Sequence, residues 1–288
     1  MNKDISILVL SHKSKNLVTN LIKKLCNKFP IIVVDNSDDL ELERKLNTEY
    51  PGVIYHSIDN NGYGAAINFG SNFIKTKYFL ILNPDIEDID EKKVIYFEKA
   101  ASKLNDKFSV LGPRYTNLDI KSIKQSNENI EIANWKFISG ACMFVKNETF
   151  KLLSGFDENF FLYFEDIDLC KRVILSGNKI YLLPNVIINH DGAKSVNFKD
   201  HMELEVNRNW HWMWSSFYYS RKYKGFIKSL IFFLPKLLFS FFKFIILKIL
   251  SKNYKSKIYQ YRFLGLLNSI KGNKSFYRPK ISEMKKFI

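Results

Sequence analysis

Four apolar runs recur through the first eighty-five residues: ISILVL (5–10), PIIVVDNS (30–37), GVIYHS (52–57) and KYFLILNPD (77–85). Each has strand length and is rich in β-branched and aliphatic residues. The intervening segments have helical character. Leu17, Leu21, Ile22 and Leu25 share one face of residues 14–28, a charged stretch runs through 49, and NGYGAAINFGSNFI (61–74) is a loop entering a helix. Strands apolar on both faces, alternating with helices, predict an α/β fold with a mostly parallel, Rossmann-like sheet flanked by helices. Ligands on such sheets bind at the carboxyl ends of the strands. Those ends carry Ser11-His12, Asp35-Asn36-Ser37 and Asn83-Pro84-Asp85.

Beyond residue 86 the pattern loosens. Residues 91–104 read as a helix, 116–134 as a polar loop and WKFISGACMFV as another buried segment, and KRVILSGNKIYLLP as a helix stopped at Gly177 before a strand. Cys26, Cys142 and Cys170 are far apart in sequence, the pattern of reduced thiols in a cytosolic setting. MNKDISILVL enters a strand directly, with Asp4 where a signal peptide carries positive charge, so no secretory signal is expected.

The net charge of +15 is unevenly placed. Residues 1–195 hold 25 basic and 25 acidic side chains, whereas 196–288 hold 19 basic and 4 acidic. A basic excess confined to the last third calls for an anionic partner. The most apolar part of the chain also lies there, GFIKSLIFFLPKLLFSFFKFIILKIL (225–250), interrupted by Lys228, Lys236 and Lys243. At roughly 100° per residue, those lysines and Lys224 fall within an arc of about 120°. A lysine at a bilayer centre costs on the order of 3 kcal/mol, so crossing is disfavoured and Pro235 adds a kink. One basic stripe on a Phe/Leu/Ile helix fits a helix lying in the membrane interface. A buried core helix with snorkelling lysines is the alternative. A catalytic domain over 1–210 and a membrane-associating extension over 211–288 are expected.

Several side chains are candidates for chemistry. Asp85 is either a turn former after Asn83-Pro84 or the ligand of a divalent cation. Asp35 is either a helix cap or an acceptor for a bound base or ribose. Gly62 and Gly64 in DNNGYGAAIN allow a tight turn, although the Walker and GxGxxG spacings are missing. In FLYFEDIDLCKR (161–172), Glu165, Asp168 and Arg172 share a helical face and suit an ion-pair ladder. Asp166 points about 100° away, behind Phe160, Phe161, Tyr163 and Phe164, where desolvation would raise its pKa toward that of a usable base. Acids in a helix's first turn also suit its dipole, so a purely structural role stays open for all three. His190, at the end of a strand-like run, is either structural or a ligand for metal or phosphate.

Taken in order, IIVVDNS, NNGYGAAINFG, FLILNPD, ISGACMFVKNETFKLLSGFDENFFLYFEDIDLCKR and NHDGAKS resemble the family 2 glycosyltransferases of the GT-A fold. The likeness is greatest to their rhamnosyltransferase-like bacterial members and covers roughly the first 210 residues. It implies an inverting transfer of a sugar, rhamnose or a hexose, from a nucleotide-diphosphate donor (dTDP-rhamnose or a UDP-sugar) to a glycan hydroxyl. Under it Asp35 contacts the nucleoside, Asn61, Gly62 and Asn68 line the nucleotide pocket, and Asp85 holds Mg2+ or Mn2+ on the diphosphate. Asp166 is the general base and His190 lies near the diphosphate or metal. Asn83 stands where the fuller motif has a first aspartate, which bears on how strictly metal is needed. The aromatic run 160–164 is placed to wall the acceptor sugar.

The basic, Phe-rich tail suits a lipid-linked acceptor in cell-envelope polysaccharide synthesis, on the inner face of the cell membrane. Two rivals are a nucleotidyltransferase of sugar phosphates and a membrane-tethered nucleotide- or nucleic-acid-binding module. LSHKSKN (10–16) lacks the Gly-rich basic loop of the former. The Phe/Leu/Ile content of 226–250 favours lipid over nucleic acid as the tail's partner.

Overall fold

The computed structural model describes residues 2–86, 88–116, 132–189 and 201–278. The chain divides into two compact units, one of Met1–Glu158 with Glu165–Asn197, the other of Asn159–Phe164 with Phe198–Ile288.

In the first unit the expected alternation is present. Strands β1 (Ile5–Ser11), β2 (Ile31–Asp35), β3 (Ile54–Ser57) and β4 (Tyr78–Leu82) are separated by helices α1 (Lys15–Leu25), α2 (Leu40–Glu49) and α3 (Tyr63–Ser71). After helix α4 (Glu91–Lys103) come β5 (Val110–Tyr115), β6 (Ala133–Trp135), β7 (Cys142–Lys146), helices α5 (Asn147–Leu152) and α6 (Glu165–Leu175), and β8 (Ile180–Ile188). Among the described residues these strands form one sheet in the order β3-β2-β1-β4-β7-β5-β8-β6. The first four strands are mutually parallel, and β7 runs antiparallel to both β4 and β5. Pro184 lies in an interior strand, which proline ordinarily avoids. The β5–β8 register shifts there, from Pro113↔Leu183 to Arg114↔Ile187, and the irregularity accommodates the residue that cannot donate.

Both faces of the sheet are covered, which explains why its strands carry few polar positions. Ile5, Ile7 and Val9 of β1 pack in one core with Val18 and Ile22 of α1, Leu42 of α2, and Val94 and Phe97 of α4. Leu8, with Phe79 and Ile81 of β4, packs in the other with Ile67 of α3, Phe150 of α5, and Leu169 and Val173 of α6. Each such side chain taken from water contributes about 1.5–3 kcal/mol.

The second unit is helical: α7 (His201–Lys224), α8 (Phe226–Ile249) and α9 (Asn253–Ile270). Met213, Phe217, Phe233 and Leu266 form its small core. A Cβ on Gly265 would lie 2.2 Å from the Trp210 carbonyl oxygen, so the α7–α9 crossing requires glycine there. His211 is fully buried, with Nε2 donating to the Tyr277 carbonyl (2.9 Å) and Nδ1 facing the Ser275 hydroxyl (2.9 Å). Burial pushes its pKa down to about 3.

One expectation changes here. Lys224 ends α7, and Gly225 at φ +82° separates it from α8, so the lysine stripe on α8 begins at Lys228. Pro235 lies inside α8, which runs on to Ile249. Most of α8 is exposed, Ile231 at 68% and Ile249 at 76% among others, so it is not the core helix of the alternative reading. By length and composition alone it is apolar enough to cross a membrane.

Candidate active site

Among the described candidates, Asp35, Asn83 and Asp85 lie at or just after the carboxyl ends of parallel strands in the first unit, Asn61, Gly62 and Asn68 lie at or in α3, and Asp166 opens α6. Register brings Ser11, Asp35 and Ser57 side by side at the ends of β1, β2 and β3. A chain of polar contacts crosses these ends. His12 Nδ1 meets Asn36 Oδ1 at 2.8 Å, Asn36 Nδ2 donates to Asn60 Oδ1 at 3.2 Å, and that oxygen also accepts from Gly62 N–H at 3.3 Å. Gly62, at φ +108°, is the N-cap of α3, and Asn61 N–H closes a turn on Asp59 O.

Asp35 is fully buried, and its carboxylate accepts from Ser37 N–H, Ser37 Oγ and Asp39 N–H at 2.8–3.1 Å. It shapes the turn before α2; the helix cap itself is Asp39, which accepts from Leu42 N–H. Asn68 faces the 155–158 segment: its Nδ2 donates to Phe156 O and Glu158 Oε1, and its Oδ1 accepts from Phe156 N–H.

The acids converge around one loop that sequence reasoning passed over. Antiparallel pairing sets Leu82 opposite Cys142, and Asn83 N–H extends that ladder by donating to Ala141 O (2.8 Å). The Asn83-Pro84-Asp85 turn is thereby tied to Ser139-Gly140-Ala141. Gly140 N–H donates to Asp166 Oδ2 (3.0 Å), and Gly140 O accepts from Tyr63 Oη (2.7 Å). A Cβ on Gly140 would lie 3.3 Å from the Tyr63 ring, which would have to give by a few tenths of an ångström, and in ordinary contact with Asp166 Cβ at 3.5 Å. The signal was in ISGACMFV and NNGYG, but the two meet only through the β4–β7 register.

Burial, followed by the charges of Glu165, Asp166, Tyr115 and Asp85, holds the Tyr63 phenol well above its ordinary pKa. Tyr63 therefore stays a hydrogen-bond donor, and its field registers all of those groups in one neighbourhood.

The acids of α6 divide differently from the ladder reading. Asp168 is fully buried and takes Arg172 Nε at 2.7 Å, while the same guanidinium donates to the carbonyls of Leu153 and Gly155. Glu165 is not part of this ladder. It is buried against α3, its Cβ 3.7 Å from where a Gly64 Cβ would stand, and its Oε2 has no hydrogen-bond partner among the described residues. Burial and then the Asp166 charge push its pKa well up. Asp166 accepts from Gly140 N–H and from Ile167 N–H (2.8 Å). Burial raises its pKa and those backbone donors oppose the rise, favouring the ionised form. Both acids are therefore held above their ordinary pKa, Glu165 by burial and the Asp166 charge, Asp166 by burial against two backbone donors.

The aromatic run 160–164 packs within the helical unit. Phe160 and Phe161 are buried there, against Tyr218 and His211, and Phe164 lies beside Trp212 and Tyr219. His190 lies outside the described residues. Among the described residues no group of three or more His, Cys, Asp or Glu is arranged to hold a metal ion. Asp85 is a single buried carboxylate at the end of β4. That donor set fits Mg2+ or a similar hard cation, which binds through one or two carboxylates and completes its shell with substrate phosphates and water.

The profile of "Glycosyl transferase family 2" matches residues 6–168. The rhamnosyltransferase WbbL of Escherichia coli K12 is 30% identical over 62% of this chain and 80% of its own length. The low-salt glycan biosynthesis hexosyltransferase Agl10 of Haloferax volcanii is 25% identical over 60% of this chain and 62% of its own. An N-acetylglucosaminyl-diphospho-decaprenol L-rhamnosyltransferase of Mycobacterium tuberculosis is 36% identical over 21% of this chain and 20% of its own. Among solved folds, S. aureus TarS 1–349 superposes with a TM-score of 0.52 at 15% identity, covering 96% of this chain and 93% of that one. GalNAc-T7, solved with UDP, GalNAc and Mn2+, gives 0.53 at 13% identity, over 74% of this chain and half of that one. With its GT-A-like sheet and more than half its length inside the family profile, the chain is a glycosyltransferase that belongs to family 2.

Proposed function

We propose that the protein transfers rhamnose or a hexose, with inversion, from a nucleotide-diphosphate donor to a hydroxyl of a lipid-linked glycan in cell-envelope polysaccharide synthesis. The observation that carries the reading is the Gly140 loop, which bonds Asp166 on one side and Asn83 of the Asn83-Pro84-Asp85 turn on the other. Asp166 accepts the acceptor hydroxyl's proton as attack develops, and the Gly140 and Ile167 N–H groups hold its carboxylate in register. Tyr63 braces the loop through the Gly140 carbonyl, and protonated Glu165 spares Asp166 a second negative charge. Asp35, Asn61, Gly62 and Asn68 border the nucleotide, with Asp35 and Asn68 fixing the local backbone. Asp85 would hold Mg2+ or Mn2+. Such an ion, when bound, offsets the charge of the departing diphosphate. The solved GalNAc-T7 complex holds UDP and Mn2+, and TarS 1–349 has been solved with UDP.

The exposed Phe/Leu/Ile surface of α8 and its lysines support peripheral association with an anionic membrane, on the inner face of the cell membrane. Residues 211–288 are then the membrane-associating extension of a catalytic domain.

The test is a panel of nucleotide sugars (dTDP-rhamnose, UDP-glucose, UDP-GlcNAc and UDP-galactose) with membrane lipid extract as acceptor, reading release of nucleoside diphosphate with Mg2+, with Mn2+ and with EDTA. One donor should dominate, with release stimulated by metal. Release of pyrophosphate, or none from any donor, contradicts the reading.

A further inference from the structure

We infer that a cleft within the helical unit binds an isoprenoid diphosphate, the carrier end of a lipid-linked acceptor. The inference rests on the lipid-linked reading above and deepens it by naming the site.

The cleft has a volume of about 560 Å3 and is lined by α7, α8, α9 and Phe164. That size lies inside the roughly 300–1,000 Å3 range of small-molecule pockets. Its walls are largely aromatic, with Trp212, Phe232 and Phe233 among them. Its charged lining consists of Lys224, Lys236 and Arg262, with no carboxylate among the lining residues. The Lys224 ammonium lies 5.5 Å from the centre of the Phe232 ring and the Lys236 ammonium 4.4 Å from it, so two cations approach one ring. Arg262 is oriented by donating to Asn209 Oδ1 at 2.8 Å. Like charges brought together in this way repel unless an anion joins them.

An occupant must therefore combine apolar bulk with concentrated negative charge. A diphosphate carries more charge at one point than a phospholipid's single phosphodiester, and so matches three cations better. The aromatic walls suit a branched hydrocarbon. A free nucleotide meets the charge but not the walls, where the polar lining other than the cations is limited to serines and Tyr219. The cleft borders Pro235 and Phe239 on α8, the helix whose remaining apolar surface is exposed, so a long tail has a path outward along it.

The test uses the full chain and farnesyl diphosphate as probe, measured by equilibrium binding. Inorganic pyrophosphate and farnesol should each bind at least about tenfold more weakly, because each supplies half of the recognition. Lys224→Gln with Lys236→Gln removes the charge at exposed positions, and Ser216→Trp fills the cleft. Each change should weaken farnesyl diphosphate about tenfold or more and raise KM for lipid-linked acceptor far more than it lowers kcat. Thermal melting checks that both variants fold, and the exposed lysine pair decides the matter if Ser216→Trp does not. Equal affinity in wild type and the lysine variant overturns the proposal. So does displacement of the probe by phosphatidylglycerol vesicles at equivalent lipid concentration, which would make the cleft a bilayer-lipid site. Probe binding without sugar transfer from any donor would refute the transferase reading and leave the cleft standing; transfer without probe binding would do the reverse.

Discussion

The two units of this chain handle charge in opposite ways. The α/β unit gathers acids at the end of β2 and in the first turn of α6: Asp35 within its own turn, Asp168 against Arg172, and Glu165 beside Asp166. The helical unit gathers cations against aromatic rings, as with Lys236 over Phe232 and Phe233 and Arg278 over Phe161 at 3.4 Å. An acid kept dry has a raised pKa and can act as a base near neutrality; a cation over an aromatic face keeps its charge and can receive an anion. In the proposed reading, proton transfer falls to the first unit and anion and lipid recognition to the second.

Substitutions in the α/β unit should damage turnover most. Asp85→Asn should lower kcat/KM by about two orders of magnitude and abolish stimulation by Mg2+ or Mn2+, since a neutral amide is a poor ligand for a hard cation. A metal titration that matches wild type would remove Asp85 from that role. Gly140→Ala pushes aside, by a few tenths of an ångström, the Tyr63 ring that braces the loop through the Gly140 carbonyl. Its kcat should fall about tenfold with little change in donor affinity, because small misplacements of a reacting group are costly. Full activity would show that the loop does not position the base.

Stability against pH separates the units further. His211 titrates at about 3 when folded, against about 6.5 unfolded. The unfolded chain therefore takes up a proton first on acidification. His211 makes the protein less stable as pH falls from 6.5 toward 3, by about 1.4 kcal/mol per pH unit. His211→Gln should flatten that slope in denaturant melts followed by helical signal. Glu165 has the opposite sign. Its folded pKa is raised, so the unfolded chain loses its proton first and stability declines as pH rises above about 4.5. Glu165→Gln should remove that decline, an effect on the order of 1 kcal/mol, and leave the acid limb of the rate profile in place, because burial and not a Glu165 charge raises Asp166. An acid limb moved to lower pH would show that Glu165 carries charge beside Asp166.

Much of the α/β unit was legible in the sequence because local signals agree there. The β-branched runs at 5–11, 31–35 and 78–82 are strands, and the leucines of 14–28 face the core. What was not legible depends on pairing between distant segments. Helical spacing puts Glu165, Asp168 and Arg172 on one face but cannot say that Arg172 turns to two carbonyls of 153–155 while Glu165 faces α3. Gly140 reads as an ordinary loop residue until β7 is paired with β4. FLYFED looks continuous, yet the chain changes unit between Phe164 and Glu165. The lysine stripe was read as one helix because the positive φ of Gly225 is not visible in an apolar run.

The most direct test of the account compares wild type with Asp166→Asn at saturating donor and acceptor, with donor affinity measured separately by binding. The account predicts a loss of about a thousandfold or more in kcat with donor affinity within a factor of about two, because an amide accepts no proton yet still receives the Gly140 N–H. Turnover within about tenfold of wild type would contradict it and place the base elsewhere.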